Sequence, residues 1–411
     1  GGAAPPQASG RPAAYKADVD GFFHKWLQVA RDSQAENGMY PDVIPKVRVV
    51  GWGGAAWSDA GIIVPYTMWK MYADTDIIRE HYASMERYMD WLATTDLSGP
   101  NATYGDWLAY EPTDARYISV AYYALDARYM AAMSRAIDRA DRAAHYDSLF
   151  EQVRDHFRRI YCNAEGDLNP EVRTQTGYLL ALRNDLLLPE RRPAAVAALK
   201  QKIIDNGYKL STGFVGSCIL NEGLAEFGEN DLAYSLLLQT ENPSWLYSVH
   251  QGATTIWERW NSYTKATGFG DVGMNSFNHY AYGAVQEWMY RHIAGIETTE
   301  QAPGFAHPIL QPKPDTRSAE EIPAGQEKIT WVRTSFASPV GLIESAWDMT
   351  DGFTYTCRVP VAATLHLPLI GNAETLVING VAHKPDEFRL CPIGKGVTIE
   401  LAPGAYTIEQ K

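Results

Sequence analysis

The sequence predicts a mainly α protein: an α/α toroid of about six helical hairpins, followed by a small antiparallel β-sandwich. Three observations carry this prediction. Apolar residues recur at helical spacing from residue 13 to about 295. Pro303, Pro308, Pro312 and Pro314 then break any helix. From about Lys328 apolar and polar residues alternate in short runs, with Asp351-Gly352 and Asn379-Gly380 as hairpin turns.

The elements follow in order. Residues 1–12 are rich in Gly, Ala and Pro and read as an irregular lead. Residues 14–31 carry Val19, Phe22, Phe23, Trp26, Leu27 and Val29 as one apolar stripe. Helices are expected over 59–72, 76–92, 114–139, 141–160, 171–183, 190–206, 215–227, 230–239 and 276–294. Thr113 and Asp114 read as a cap for the long helix after them. The strand-like runs are KITWV, GLIESAW, FTYTCRV, ATLHLPL, TLVING, GVTIEL and AYTIE. The expected division is therefore a lead over 1–12, a helical barrel over 13–300 and a β-sandwich over 301–411.

Composition narrows the function classes. A chain of 411 residues with 46% hydrophobic content has ample material for two or three cores. A net charge of −13 argues against nucleic acid or an anionic membrane as the main partner, since both select basic surfaces. No apolar run approaches the ~20 residues that span a bilayer. Cys162, Cys218, Cys357 and Cys391 lack metal-ligand or redox spacing. Cys357 and Cys391 share the C-terminal region, where two free thiols are expected. The chain opens Gly-Gly-Ala-Ala-Pro-Pro, without Met or a signal peptide. That reads as a processed, engineered or cut N-terminus and sets no compartment. Twelve Trp and 24 Tyr supply a large aromatic core and, in part, rings for a carbohydrate cleft.

The most informative stretch is 252–283, GATTIWERWNSYTKATGFGDVGMNSFNHYAYG. Glu258 lies between Trp257 and Trp260, and a glycine-broken loop leads to Asn275, Asn278, His279 and Tyr282. Sugar rings stack on aromatic faces and their hydroxyls need paired polar groups. Cleaving a glycosidic bond takes two carboxylates, and Glu258 is a candidate for one. The plain alternative is a Glu that pairs with Arg259. In GWGGAAWSD, residues 51–59, Ser58 or Asp59 either caps the next helix or meets a sugar. In YGDW, residues 104–107, Asp106 and Trp107 either contact a sugar or brace a loop. On a helix, positions 275, 278/279 and 282 share a face, which suggests a cavity wall; the bland reading is an N-cap and a satisfied core histidine. No nucleophile elbow, HExxH or Walker A motif is present, and Asp and His are too dispersed to name a metal site. No cofactor is expected.

Several blocks resemble one family. WGGAAWSDAGIIVPYTMWKMYADTDIIREHYASMERYMDWL, YGDWL, TQTGYLLAL, NPSWLYSVHQGATTIWERWNSY and GMNSFNHYAYGAVQEWMYRHIAGI are similar, in this order, to glycoside hydrolase family 78, the α-L-rhamnosidases. AAYKADVDGFFHKWL, NGMYPDVIP and the trailing PGF agree. The resemblance covers nearly the whole chain from about Ala13. It implies an (α/α)6 barrel with a C-terminal β-sandwich, and inverting hydrolysis of terminal α-L-rhamnosides. It also implies Glu258 as the base that activates water, His279 as a sugar contact, and Trp57, Asp59, Asp106 and Trp107 near the pocket, with Trp257 and Trp260 flanking the base. One departure stands out. The family's general acid lies in a D-x-x-x-R-x-E-R-x-G-W-x-G-D motif, and this chain begins about where that motif should end. The expected partners are thus a rhamnose-containing glycoside and a further segment or chain that supplies the acid. The rivals are a carbohydrate-binding homologue without catalysis and an α/α-toroid polysaccharide lyase.

Overall fold

The computed structural model describes residues 10–47, 51–100, 104–392 and 394–411. Helices pair in chain order. α1 (Gly10–Lys16) precedes α2 (Asp20–Asp32), and α3 (Ala60–Tyr72) precedes α4 (Thr75–Ala93). Next come α5 (Ala115–Ala136) with α6 (Ala140–Tyr161), and α7 (Gln175–Arg183) with α8 (Arg192–Asp205). α9 (Phe214–Ser217) and α10 (Leu220–Glu226) lead to α11 (Asn230–Leu237), then α12 (Trp245–His250) and α13 (Val285–Trp288). α1, α3, α5, α7, α9–α10 and α13 form the inner ring, each touching the next, and α13 closes it onto α1. The other long helices lie outside. Their composition explains the split: α3 is buried at every position from Ala60 to Trp69, whereas α2, α4 and α6 are apolar on one face only. Since an outer helix separates successive inner ones, the inner helices run in one direction and their N-termini share one mouth.

The far end of the ring is held by charge. Arg291, in a π-helical turn over Met289–Ile293, pairs with Glu222, Glu297 and Glu287, the last at 3.1 Å. Arg11 of α1 donates to Glu287 at 2.9 Å, Lys70 of α3 lies 3.4 Å from Glu297, and Arg183 of α7 meets both oxygens of Glu226 at 3.0 Å. The network thereby ties five inner helices, α1, α3, α7, α10 and α13, to the start of the next domain.

That domain is a two-sheet sandwich. After a short hairpin inside the barrel loops, β1 (Tyr263–Thr264) with β2 (Gly268–Phe269), its strands begin with β3 (Ile296–Glu297) and β4 (Ile309–Leu310). They continue with β5 (Trp331–Ser338), β6 (Gly341–Asp348), β7 (Phe353–Val359), β8 (Ala363–Pro368), β9 (Leu376–Ile378) and β10 (Val381–His383). β11 (Arg389–Leu390), β12 (Gly396–Leu401) and β13 (Gly404–Gln410) complete it. One sheet has the order β10-β9-β13-β7-β6-β5, the other β11-β12-β8-β4-β3. In β7 the alternate residues Phe353, Tyr355, Cys357 and Val359 are buried, as the period-2 pattern requires. Asn379 and Gly380 both have positive φ, 48° and 85°, as a two-residue primed turn between β9 and β10 demands. Trp347 Nε1 donates to Ile293 O at 2.9 Å and Ser345 Oγ to Ala294 O at 2.6 Å, which fastens the sandwich to the end of the ring. Tyr15 of α1 stacks on Tyr290 at 4.9 Å and meets Phe336 of β5 at 5.0 Å.

The sandwich is antiparallel as expected, with one parallel pair, β4 with β8. Three expectations of local structure need correction. The stripe over 14–31 is two helices, broken at residues 17–19, and α1 starts inside the supposed irregular lead. α12, with Ser244 Oγ accepting from Tyr247 N at 3.1 Å, was not anticipated. Residues 276–280 are not helical: helical turns start at Ala281. The backbone N–H of Ser276 goes to the Glu258 carboxylate and that of His279 to Ile256 O, so neither serves a helix.

Candidate active site

Glu258 and His279 come together by strand-like pairing of two loops. Glu258 N donates to Ser276 O at 2.9 Å, and His279 N donates to Ile256 O at 2.8 Å. Ser276 N returns a bond to Glu258 Oε2 at 2.7 Å. Glu258 Oε1 accepts no hydrogen bond among the described residues, and the residue is 8% exposed. Arg259 does not neutralise it: that guanidinium donates to Met274 O at 2.9 Å and faces Asp271 at 3.7 Å. The imidazole of His279 lies on the Phe214 ring, centroids 4.9 Å apart, and on Tyr280 at 5.6 Å. Burial holds its pKa below the ordinary value, while the charge of Glu258 pulls the other way. Ala281 N donates to His279 Nδ1 at 3.4 Å, which leaves Nε2 as the protonated nitrogen of the neutral ring.

Phe214 opens α9, and Asp106 holds that turn. The Asp106 carboxylate accepts from Gly213 N at 2.9 Å, Val215 N at 2.8 Å, Gly216 N at 3.1 Å and Thr176 Oγ1 at 2.5 Å. Four donors fill a carboxylate, so Asp106 caps a helix from a distant loop. Desolvation pushes its pKa up against those bonds. The approach is close enough that a Cβ on Gly213 would stand 2.1 Å from Trp107 O. Phe214 N donates to that same carbonyl at 2.9 Å. Trp107 meets Tyr104 edge-on at 5.8 Å, and Tyr104 leans on Trp57 at 4.8 Å. Tyr104 and Trp107 are half-buried. Trp57 is buried beneath them, with its Nε1 donor unpartnered. The sequence reading passed over Tyr104 and Phe214; Tyr104 could have been found as the aromatic that opens the YGDW block, Phe214 by no local signal.

Asp59 belongs to the framework. It is 1% exposed, accepts from Tyr88 Oη at 2.9 Å and from Ala56 N, and touches Asp126 of α5. It occupies the N-cap position of α3 without capping it by its side chain. Asp42 secures the rest of the loop, accepting from Gly54 N at 2.7 Å and Ser58 Oγ at 2.9 Å. Trp260 is also committed: its ring stacks on Tyr282 at 3.8 Å and its Nε1 donates to Thr212 O at 3.0 Å. Trp257 is buried edge-on against Phe277 at 5.3 Å. The eight expected site residues thus divide. Glu258, His279 and Trp107, with Trp57 buried behind Tyr104, lie on loops at the same end of the ring; Asp59, Asp106, Trp257 and Trp260 hold those loops in place.

At the far end, Glu222, Glu226 and His292 bring three ligand atoms within 4.8 Å of one another. Arg291 and Arg183 already pair with those carboxylates, so the cluster is an ion-pair network before it is a metal site.

A free carboxylate oxygen, an imidazole N–H and aromatic rings thus lie on loops at one end of the ring. Comparisons with known proteins show what the chain is similar to. Residues 5–293 match the bacterial alpha-L-rhamnosidase 6 hairpin glycosidase domain, and residues 295–381 the bacterial alpha-L-rhamnosidase C-terminal domain. An alpha-L-rhamnosidase of Formosa agariphila is 36% identical over 385 residues, which are 91% of this chain and 40% of that protein. One of Streptomyces avermitilis is 36% identical over 356 residues, 86% of this chain and 33% of that protein. The chain spans well under half the length of these relatives. The crystal structure of a Streptomyces avermitilis alpha-L-rhamnosidase complexed with L-rhamnose superposes with a TM-score of 0.89 at 32% identity, covering 99% of this chain and 38% of that one. A model matched over most of its length, in a fold that closes as a six-hairpin ring, shows that this chain belongs to the bacterial alpha-L-rhamnosidases.

Proposed function

We propose that this barrel hydrolyses terminal α-L-rhamnosides with inversion, Glu258 acting as general base. The observation that carries the reading is the unequal state of three carboxylates. Asp59 and Asp106 are buried and engaged, while Glu258 keeps one oxygen free beside His279. In this reading a water sits between Glu258 and the anomeric carbon. Glu258 takes its proton as the oxygen attacks, and the bond from C1 to the glycosidic oxygen breaks on the opposite face. The leaving oxygen takes a proton from an acid roughly 6.5–9.5 Å from Glu258. His279 Nε2–H donates to a sugar hydroxyl, and Tyr104 and Trp107 offer faces to the ring. Transition-state proton transfer of this kind contributes about 10²–10⁴-fold.

Glu258→Gln tests the base. Turnover of an aryl α-L-rhamnoside should fall at least about a hundredfold while calorimetric L-rhamnose affinity stays within about twofold. Undiminished turnover sinks the assignment. A second reading, rhamnose binding without catalysis, is favoured by one fact: among the candidate site carboxylates, no second one is left free. L-rhamnose binding with no hydrolysis of an activated aryl α-L-rhamnoside, whose leaving group needs no proton, decides for it.

A further inference from the structure

A cleft of about 770 Å3 opens beside the mouth, within the size range of ligand sites. Its walls are Tyr110 and Glu111 before α5, Arg173 and Gln175 at the start of α7, Lys202 near the end of α8, and Ser211 before α9. All lie at the end of the toroid that carries Glu258. Two hydrogen bonds join cleft and catalytic loop. Tyr110 Oη donates to Asn242 Oδ1 at 3.0 Å, and Asn242 Nδ2 donates to Trp260 O at 2.6 Å, two residues beyond Glu258.

The floor is internally bonded. Gln175 donates to Lys209 O at 3.1 Å and accepts from Ser211 N at 3.0 Å. Glu111 accepts from Ser211 Oγ at 3.1 Å and pairs with Lys202 at 2.7 Å. Against this fixed floor two side chains remain available. Tyr110 is 47% exposed, a large aromatic face at the rim. Arg173 spends only its Nε, on Leu168 O at 2.7 Å; its terminal amino groups meet no acceptor among the described residues. The lining charges balance, Arg173 and Lys202 against Glu111 and Asp205.

We propose that this cleft is the leaving-group subsite, which takes the sugar residues beyond the terminal rhamnose of a neutral oligosaccharide. This rests on the function proposed above, because a terminal rhamnose at Glu258 leaves only the leaving group to extend across the rim. Tyr110 stacks on one ring and Arg173 donates to its hydroxyls, while the balanced charges give no preference for an acidic sugar.

The test compares the full chain with Tyr110→Ala, Tyr110→Phe and Arg173→Gln. The ligands are L-rhamnose, methyl α-L-rhamnoside and a neutral rhamnose-terminated trisaccharide, with Kd by calorimetry. In the Ala and Gln variants the trisaccharide should weaken about tenfold relative to L-rhamnose, the scale of one lost aromatic or charge-assisted contact. Tyr110→Phe keeps the face and should retain most of the preference. An unchanged ratio in both Ala and Gln variants overturns the subsite. Failure of the unaltered chain to bind L-rhamnose overturns the function instead; trisaccharide binding lost in Tyr110→Ala would still uphold the cleft as a glycan site.

Discussion

Asp106 separates a sugar ligand from a structural clamp, and its replacement discriminates the two by magnitude. Asp106→Ala strips the acceptor from three buried backbone N–H groups, those of Gly213, Val215 and Gly216, while the Thr176 hydroxyl can turn elsewhere. An unsatisfied buried donor costs about 1–3 kcal/mol. One water entering the vacated space can recover two of the bonds. The one donor left unsatisfied costs about 1–3 kcal/mol, or roughly 5 °C in the barrel's thermal midpoint. Asp106→Asn keeps one acceptor oxygen but turns an NH2 toward a donor, so it should lose roughly half as much. Because Phe214 rides on the capped turn and supports His279, rhamnose affinity should fall in the same order as stability. Calorimetric unfolding and rhamnose titration read the two quantities side by side. Variants that bind rhamnose poorly yet unfold within about 2 °C of the parent would show Asp106 to be a sugar contact, and the clamp argument would be wrong.

Three further outcomes follow from buried charge. His81 is 1% exposed, neither ring nitrogen has a hydrogen-bond partner, and burial first of all lowers its pKa to about 4. Below pH 6.5 the unfolded chain takes up a proton that the folded chain refuses until about pH 4, so stability falls through that window by at most roughly 3 kcal/mol and is whole above it. His81→Phe should flatten the thermal midpoint between pH 4 and 6.5; an unaltered slope refutes this. Arg291→Met leaves Glu222, Glu287 and Glu297 without their shared cation and should destabilise by about 3–5 kcal/mol, read by denaturant unfolding, with a loss under about 1 kcal/mol counting against the network. Asp126 is buried against Asp59, and burial and then the neighbouring carboxyl push its pKa well up, which favours the neutral form; a proton shared with Asp59 would give its otherwise unpartnered oxygens a hydrogen bond. Asp126→Asn should therefore cost less than about 1 kcal/mol and Asp126→Ala about 2–4, with equal costs showing that no donated proton is at stake.

The helical ring and the sandwich were legible because each rests on local periodicity. α4 shows an apolar stripe and an Asp cap, with Asp74 accepting from Asp76 N and Ile77 N, and β7 alternates cleanly. Boundaries failed where distant partners override local preference. Residues 276–280 follow Glu258 and Ile256 instead of their own helix, and Arg11 is ordered by Glu287, 276 residues away. The candidate site residues could be picked out of the sequence, but what each one touches could not. Glu258 and His279 stood out as a carboxylate among aromatics and a polar stripe, and the family resemblance sharpened both. Nothing local separates Asp106 from Glu258, because the donors that occupy Asp106 lie 70 to 110 residues on.

That separation bears on how the site works. An acid–base centre needs a group whose lone pair is free and whose position is fixed, and one carboxylate seldom meets both demands unaided. Here the demands are divided. Asp106 spends every lone pair to fix α9 and, through Phe214, the imidazole; Asp59 accepts from Ala56 N, and Asp42 accepts from Gly54 N through Oδ1 while its Oδ2 meets no donor among the described residues. Glu258 spends one oxygen on Ser276 N, which orients the group, and its other oxygen accepts no hydrogen bond among the described residues; under the proposed function that oxygen takes the water's proton. The engaged carboxylates are thus the reason the free one can be held still on loops. On this argument an added donor that reached Glu258 Oε1 should impair catalysis as severely as removing the carboxylate, with rhamnose binding spared.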